Sequence, residues 1–425
     1  MEKKVRIGVI GYGLRGSNVT EVVLLKNKRI EITAVCDLYP DRVEDAKKKV
    51  LEVTGVEPFG STDYMDILHR EDVDAVYVVC SWEDHVKIAI DAMRCGKITA
   101  VEVGGAYSLE ELDLLVKTYE QTKVPIMMME NCCFNREELL ATAIARDGKY
   151  GKVVHCSGAY SHDLRSEISR GNIIRHYRLR NYTNRNCENY PTHELGPIAK
   201  LLNINRGNRM VSLVSVASGA FGLERYIKDN PELVEQDPTL EGRRFNQGDI
   251  VHTIITCAGG ETILLKLDTT LPRMYSREFT VRGTKGSYSM DNNAVYLDGM
   301  SHGSIDAVDN TAAVLNNAKE YEADYLHPVW LNMTKTDMEN GHGGMDPIMW
   351  NYFLDAVLEG KEMPIDVYDA ASWMAITALS ANSIALGGAP QIIPDYTNGK
   401  WQLREPKDVV DFSECKFMKD KANNA

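Results

Sequence analysis

Gly11-Tyr-Gly13-Leu-Arg-Gly16 follows the apolar run Val5–Ile10 and precedes a helical pattern. Glycines at this spacing between a strand and a helix suit the binding of a diphosphate. The first permits a tight turn, the second lets backbone approach the pyrophosphate, and the third lets helix and strand pack closely. The anion then lies on the helix N-terminus, where free N–H groups and the dipole favour negative charge. Asp37 ends the next apolar run, 21 residues after Gly16. A carboxylate there accepts hydrogen bonds from both ribose hydroxyls and repels a 2′-phosphate, so the pattern predicts NAD over NADP. The competing readings are a glycine turn that binds nothing and a solvated aspartate. Acid–base side chains recur further on. Tyr160 and His162 stand two apart at the end of an apolar run, and strand alternation sends both to one face. Tyr190 precedes His193 by three residues, and His342 lies among glycines.

These residues need elements to place them. Apolar runs at Val5–Ile10, Ile30–Cys36, Ala75–Cys80, Thr99–Val103 and Ile126–Met129 alternate with helical patterns at Arg15–Lys26, Asp41–Thr54, Tyr64–Leu68, His85–Cys95 and Leu109–Thr122. Such alternation predicts βαβ units and a parallel, doubly wound Rossmann sheet. Ser108, with Glu110 and Glu111 after it, is a good helix start. Glu130 follows the last of these strands, at the carboxyl edge where ligands sit in such sheets. Beyond about residue 150 the pattern changes. Val153–Tyr160, Met210–Ala217, Ile250–Cys257, Glu261–Thr269, Ser276–Arg282 and Gly286–Met290 predict an open, mainly antiparallel sheet. Helices at Thr192–Leu202, Met345–Glu359 and Asp366–Leu386 make this part an α+β domain. Asp163–Asn189 reads as one long loop, and 301–344 as another. The expected division is residues 1–130 for the cofactor and 131–425 for substrate binding and oligomerisation.

Composition narrows the classes. The chain has 425 residues, 44% hydrophobic and 26% charged, which is ordinary globular usage and excludes global disorder. The net charge of −13 repels phosphate backbones, so nucleic acid is a poor partner. No apolar run approaches a membrane span, and Met1-Glu2-Lys3-Lys4 does not open a signal peptide. The nine cysteines are odd in number and form no CxxC pair. They read as reduced thiols of a cytoplasmic protein with no zinc site. No His, Cys and acidic spacing predicts any other metal.

The fingerprint, Cys80-Ser-Trp-Glu-Asp-His85 and the strand-end Glu102 resemble the glucose–fructose oxidoreductase / inositol dehydrogenase superfamily. That resemblance covers nearly the whole chain. It implies a Rossmann domain followed by a domain whose open sheet often mediates oligomerisation, hence a homo-oligomer, dimer or tetramer. Two departures stand out. Dehydrogenases of that superfamily usually carry Glu-Lys-Pro where this chain has Glu102-Val103-Gly104, and an Asp-x-Gly-x-His where it has Asn189-Tyr-Pro191-Thr-His193. With Met129-Glu130-Asn131, Tyr160-Ser-His162, His176-Tyr-Arg178, Leu271-Pro-Arg-Met-Tyr275 and Gly341-His342-Gly-Gly-Met-Asp346, the chain resembles a subgroup, the NAD-dependent glycoside hydrolases typified by bacterial α-N-acetylgalactosaminidase. Those enzymes usually have Glu-Val-Pro-Ala-Ala where this chain has Glu102-Val-Gly-Gly-Ala106.

The resemblance implies redox-neutral cleavage: oxidation at C3 of the sugar, elimination across C2 and C1, hydration, and reduction. It implies N-acetylgalactosaminides or related small carbohydrates as substrate. On it, His193 is the leading base. It lies at or just before a helix start, where the dipole disfavours a cationic ring. Tyr190 and Tyr160 join it as catalytic candidates. Glu130, His162, Arg178, Tyr275 and His342 fall to the substrate. Gly11, Tyr12, Gly13, Leu14, Arg15, Gly16, Asp37, Ser81, Trp82, His85, Glu102 and Asn131 fall to the cofactor. Arg165, Arg170, Arg175, Arg178, Arg180 and Arg185 lie within 21 residues. They either pair with the protein's own acids or bind an anionic sugar or phosphate. The alternatives are an NAD-dependent sugar or inositol dehydrogenase and a non-catalytic NAD-binding sensor.

Overall fold

The computed structural model describes residues 3–300, 314–339 and 341–423. Met1 and Glu2, where the signal-peptide reading begins, lie outside the described residues, as do 301–313 and 340 of the second expected loop. The chain forms two compact units. The first comprises Met1–Asn131, Arg170–Asn181 and Thr334–Ala378; the second comprises Cys132–Ser169, Tyr182–Met333 and Leu379–Ala425.

In the first unit, β1 (Val5–Ile10), β2 (Ile30–Cys36), β3 (Phe59–Ser61), β4 (Ala75–Val78), β5 (Ile98–Val101) and β6 (Ile126–Met128) form one sheet in the order β3-β2-β1-β4-β5-β6. Every pair is parallel. Strands β1, β4, β5 and β6 are buried on both faces and therefore read as near-continuous apolar runs. The connecting helices are α1 (Leu14–Val19), α2 (Pro40–Thr54), α3 (Tyr64–Leu68), α4 (Trp82–Arg94) and α5 (Leu109–Thr122). The helix expected over Arg15–Lys26 stops at Val19 and continues as a π-helical turn, Thr20–Leu24. Helix α5 starts on the expected Ser108. The Ser108 hydroxyl accepts the Glu111 N–H at 3.2 Å, and the Glu111 carboxylate accepts the Ser108 N–H at 2.9 Å. Strand order reverses at β1, so a crevice opens at the carboxyl ends of β1 and β4.

The second unit holds β7 (Val153–Ser161), β8 (Met210–Ala217), β9 (Ile250–Cys257), β10 (Thr262–Asp268), β11 (Thr280–Gly283), β12 (Gly286–Ser289), β13 (Ala294–Leu297) and β14 (Gln391–Ile392). Their order is β13-β12-β11-β7-β10-β9-β8-β14, and only the β10–β7 pair is parallel. The helix α6 (Arg136–Arg146) precedes this sheet in sequence. The first expected loop contains two short helices, α7 (Arg165–Ser169) and α8 (Arg178–Asn184). Helices of five and seven residues are too short to show a helical repeat. The described part of the second expected loop likewise carries short helices at Glu322–Tyr325, Pro328–Leu331 and Lys335–Met338. The strand expected from Ser276 begins at Thr280, because Glu278 adopts a left-handed φ of 45°.

One contact in this unit positions the site. Helix α9 (Thr192–Leu201) packs on β7, and a Cβ at Gly158 would lie 3.0 Å from both the Cβ and the carbonyl oxygen of Glu194. A side chain at 158 would push the start of α9 off the sheet.

Candidate active site

The Gly11–Gly16 loop joins β1 to α1. Gly11 has a φ of +108°, and a Cβ there would approach the Val79 carbonyl oxygen to 2.6 Å. At Gly16 a Cβ would meet the Gly11 carbonyl oxygen at 2.2 Å. Both positions therefore require glycine. The N-cap of α1, Gly13, has no side-chain capping bond, so the first N–H groups of the helix are left for an anion. Asp37, just past β2, accepts the Tyr12 N–H at 2.7 Å and the Tyr39 N–H at 3.0 Å. Its carboxylate thus faces the loop that would carry the diphosphate. Arg42 stands 3.8 Å from Asp37, and its Nη2 donates to the Ile174 carbonyl at 2.9 Å.

Past β4, Ser81 stands at the N-cap position of α4 and its hydroxyl donates to Asp84 at 2.8 Å. Trp82 and His85 are buried on the first turn of that helix. His85 Nε2 lies 3.2 Å from the Cys80 carbonyl, and Nδ1 is buried with no hydrogen-bond partner among the described residues. Burial lowers the His85 pKa, leaving a neutral ring with one polar atom to offer a ligand. Glu102, past β5, accepts from Tyr77 Oη at 2.7 Å and from Arg15 Nε at 2.9 Å. Arg15 also reaches Asp346, which accepts from Asn131 Nδ2 at 2.8 Å. His342 Nδ1 is 2.9 Å from Asp346 and 2.9 Å from Arg15. Glu130 is fully buried in the same unit. An uncapped glycine loop, a ribose-facing carboxylate and an open ring nitrogen fit a dinucleotide.

The arginine segment divides between the readings. Arg175 pairs with Asp41 at 2.7 Å and Arg180 with Glu83 at 2.6 Å, while Arg165 pairs with Asp163 at 2.7 Å. These three satisfy the protein's own acids. The Arg178 guanidinium lies 4.9 Å from the Trp82 ring centre, beside Tyr177, whose ring is 4.7 Å from Trp82.

In the second unit, Tyr160 near the end of β7 meets the segment leading into α9. Ring centres are 4.5 Å apart for Tyr160 and Tyr190, 5.5 Å for Tyr160 and His193, and 4.7 Å for Tyr190 and His193. His193 is the second residue of α9. His162 extends the group, 6.0 Å from Tyr160 and 5.3 Å from Tyr275. The four residues that sequence spacing singled out in this unit and Tyr275, which the resemblance added, thus form one continuous cluster. Two phenols and an imidazole in mutual contact can hand a proton between them.

Two supports behind the cluster had no sequence signal. Arg277 donates to Glu138 at 2.6 Å, both buried, and to the Tyr275 hydroxyl at 3.0 Å. Tyr275 itself is half exposed, with its hydroxyl accepting from Arg277. Glu188 is fully buried; its amide donates to Ser380 Oγ at 2.8 Å, and burial raises its carboxyl to about 8. Gln247 pins the same segment, accepting from Asn189 Nδ2 at 3.1 Å and donating to the Cys187 carbonyl at 2.9 Å. In the first unit, the role of Asp346 was also missed. Its spacing of four from His342 was the available clue.

Comparison with known proteins now bears on this geometry. Residues 134–403 match the family described as glycosyl hydrolase 109, C-terminal domain, and residues 5–130 match the oxidoreductase family, NAD-binding Rossmann fold. An alpha-N-acetylgalactosaminidase of Tannerella forsythia is 35% identical, covering 94% of this chain and 88% of that protein. A glycosyl hydrolase family 109 protein of Parabacteroides distasonis is 35% identical over 95% of this chain and 89% of its own. Among solved structures, levoglucosan dehydrogenase in complex with NADH and levoglucosan superposes with a TM-score of 0.65 at 16% identity, over 92% of this chain and all (100%) of that one. The apo scyllo-inositol dehydrogenase of Lactobacillus casei gives 0.64 at 13% identity, over 92% and 99% of the two chains. At these identities the solved structures show the shared fold.

Proposed function

The chain belongs to the glycosyl hydrolase 109 family and is an NAD-dependent glycosidase, and we propose that it cleaves N-acetylgalactosaminides or closely related glycosides without net oxidation. The observation that carries this reading is the Tyr160–Tyr190–His193 contact, two phenols and an imidazole in mutual ring contact. Ordinary glycosidases need a carboxylate pair flanking the bond. This cluster instead suits proton removal from carbon.

The Gly11–Gly16 loop would hold the cofactor diphosphate, Asp37 the adenosine ribose, and His85, Glu102 and Asn131 the nicotinamide half. When bound, the dinucleotide supplies a reversible acceptor for the C3 hydride. With C3 at the ketone level, the C2 proton becomes acidic. His193 accepts it, and the Tyr190 and Tyr160 hydroxyls steady the developing enolate oxygen. The aglycone leaves C1, water adds back, and the same residues return a proton to C2. Val103, buried and apolar, holds no proton at the strand end where net dehydrogenases carry a lysine, which supports the redox-neutral reading. Asp37 supports NAD over NADP, since Arg42 is engaged by Asp37 and the Ile174 carbonyl. Glu130, His162, Arg178, Tyr275 and His342 remain the substrate-binding candidates.

All nine cysteines are free thiols, and no helix of the described residues is long and apolar enough to cross a membrane. Both facts are compatible with a cytoplasmic homo-oligomer, residues 1–130 binding the cofactor and 131–425 the substrate. A panel of chromogenic α- and β-glycosides, read with and without added NAD, tests the function. The expected result is aryl release from the N-acetylgalactosaminide with no accumulation of NADH. Accumulating NADH with an oxidised sugar would make the protein a dehydrogenase.

A further inference from the structure

Arg15 joins two carboxylates that a Rossmann fingerprint does not require. Its Nε donates to Glu102 at 2.9 Å, and its two terminal nitrogens donate to Asp346 at 2.7 and 2.9 Å. Asp346 has a fully buried side chain. Burial opposes its charge, but Arg15 and then His342 outweigh that and hold the carboxyl far below the usual range. Tyr77 adds no charge: burial, and then Glu102, push its phenol well above its ordinary value. One guanidinium therefore serves two carboxylates.

The place of this cluster along the cofactor follows from the sheet order. Asp37 on the β2 side takes the adenosine ribose, and the loop after β1 takes the diphosphate. The nicotinamide half then falls on the other side of β1, over β4, β5 and β6. Glu102 ends β5, Asn131 follows β6, and Arg15 reaches both Glu102 and Asp346. An oxidised nicotinamide ring is cationic and a reduced one is neutral. Surplus negative charge beside it lowers the energy of the oxidised form alone.

We propose that Asp346 is a positioning residue that fixes Arg15 and Asn131 at the nicotinamide end and biases that site toward the oxidised cofactor. This rests on the NAD reading above and extends it. An enzyme that must begin by accepting a hydride, and never releases it to solvent, needs its resting cofactor oxidised. Asp346 supplies that bias through its contacts with Arg15 and Asn131.

The test is a pair of dissociation constants. NADH binding is read by its fluorescence and NAD by competition, for wild type and Asp346→Asn under the same buffer and salt. The Asn variant keeps the shape and removes the charge. The expected result is that the preference for NAD over NADH falls about tenfold, the size of one charge lost at close range in a partly buried site. An unchanged ratio, even with both affinities weakened equally, overturns the proposal and leaves Asp346 a structural residue. Should Asp346→Asn not fold by circular dichroism, Glu102→Gln removes the other carboxylate of Arg15 and must move the ratio the same way; an unmoved ratio there overturns it too. A wild type that binds neither nucleotide overturns the NAD reading itself, which an unmoved ratio does not.

Discussion

The Asp346 carboxylate grips the Arg15 guanidinium through both oxygens, at 2.7 and 2.9 Å, across 331 positions of sequence. The pair ties the helix that opens on Met345 to the first turn of α1. Removing the cation while leaving the anions strands charge in the interior. Arg15→Met should therefore cost about 3 kcal/mol of unfolding free energy, the scale for breaking one side of a buried ion pair. Urea denaturation of the cofactor-free protein measures it. A loss within about 0.5 kcal/mol, the range of ordinary surface changes, would show that solvent already screens the pair.

His193 sits at the second position of α9, in ring contact with Tyr160 and Tyr190. His193→Ala should lower kcat at least about 10²-fold, the lower range for a general base. NAD content after purification should not change, because every residue assigned to the dinucleotide lies in the other unit. Near-wild-type turnover would make His193 a packing residue of the α9 start.

Much of this was legible in the sequence, and what was legible shares a cause. The glycine loop and Asp37 lie within 27 consecutive residues, from Gly11 to Asp37, so their geometry is local. Tyr160 and His162, or Tyr190 and His193, share a strand end or a turn, so spacing alone places each pair. The Arg15–Asp346 and Glu138–Arg277 pairs are tertiary, 331 and 139 positions apart, and no local pattern encodes them. Short elements failed for a related reason. Strand β3 and helix α7 have three and five residues, less than two periods of evidence each. The strand at Ser276 failed because Glu278 takes a backbone conformation that its residue type does not advertise.

Asp37 faces the ribose side of the loop, and its negative charge opposes a 2′-phosphate. Asp37→Ser with Leu38→Arg should relax the preference for NAD by at least about tenfold, the effect of replacing a like charge with an opposite one at short range. Titration with both dinucleotides measures it. Equal affinity of the wild type for NAD and NADP would refute the role given to Asp37.

Glu188 lies fully buried two residues before Tyr190, with burial raising its carboxyl from about 4.5 to about 8. The folded pKa lies above the unfolded one, so the folded chain holds the proton more tightly. Its contribution is complete below about pH 4.5 and is lost as pH rises through about 8. Glu188→Gln should thus gain stability over wild type by at least about 1 kcal/mol at pH 9, and gain little or lose slightly at pH 4.5. Thermal melts at the two pH values decide it. A difference that does not grow with pH would mean that Glu188 titrates normally.

The mechanism makes its own prediction at one carbon. If the C2 proton is removed by His193, with Tyr190 or Tyr160 in contact with it, that proton exchanges with solvent before or during its return. Cleavage in heavy water should then place deuterium at C2 of the released sugar wherever the base exchanges its proton with solvent. Displacement at C1 by a carboxylate never touches that bond, so it gives none. The same departure from C1 relies little on protonating the leaving atom, so a thioglycoside should be cleaved at a rate within about tenfold of its oxygen counterpart, less than the 10²-fold or more that lost acid assistance costs. Mass spectrometry of the sugar and a thioaryl assay read the two outcomes independently. Deuterium without thioglycoside cleavage would keep the elimination and show that a Tyr160 or Tyr190 hydroxyl must protonate the aglycone. Thioglycoside cleavage with no deuterium would mean that His193 returns the same proton from a pocket closed to water. The absence of both would remove proton abstraction at C2 from the mechanism, and with it the role given to the Tyr160–Tyr190–His193 contact.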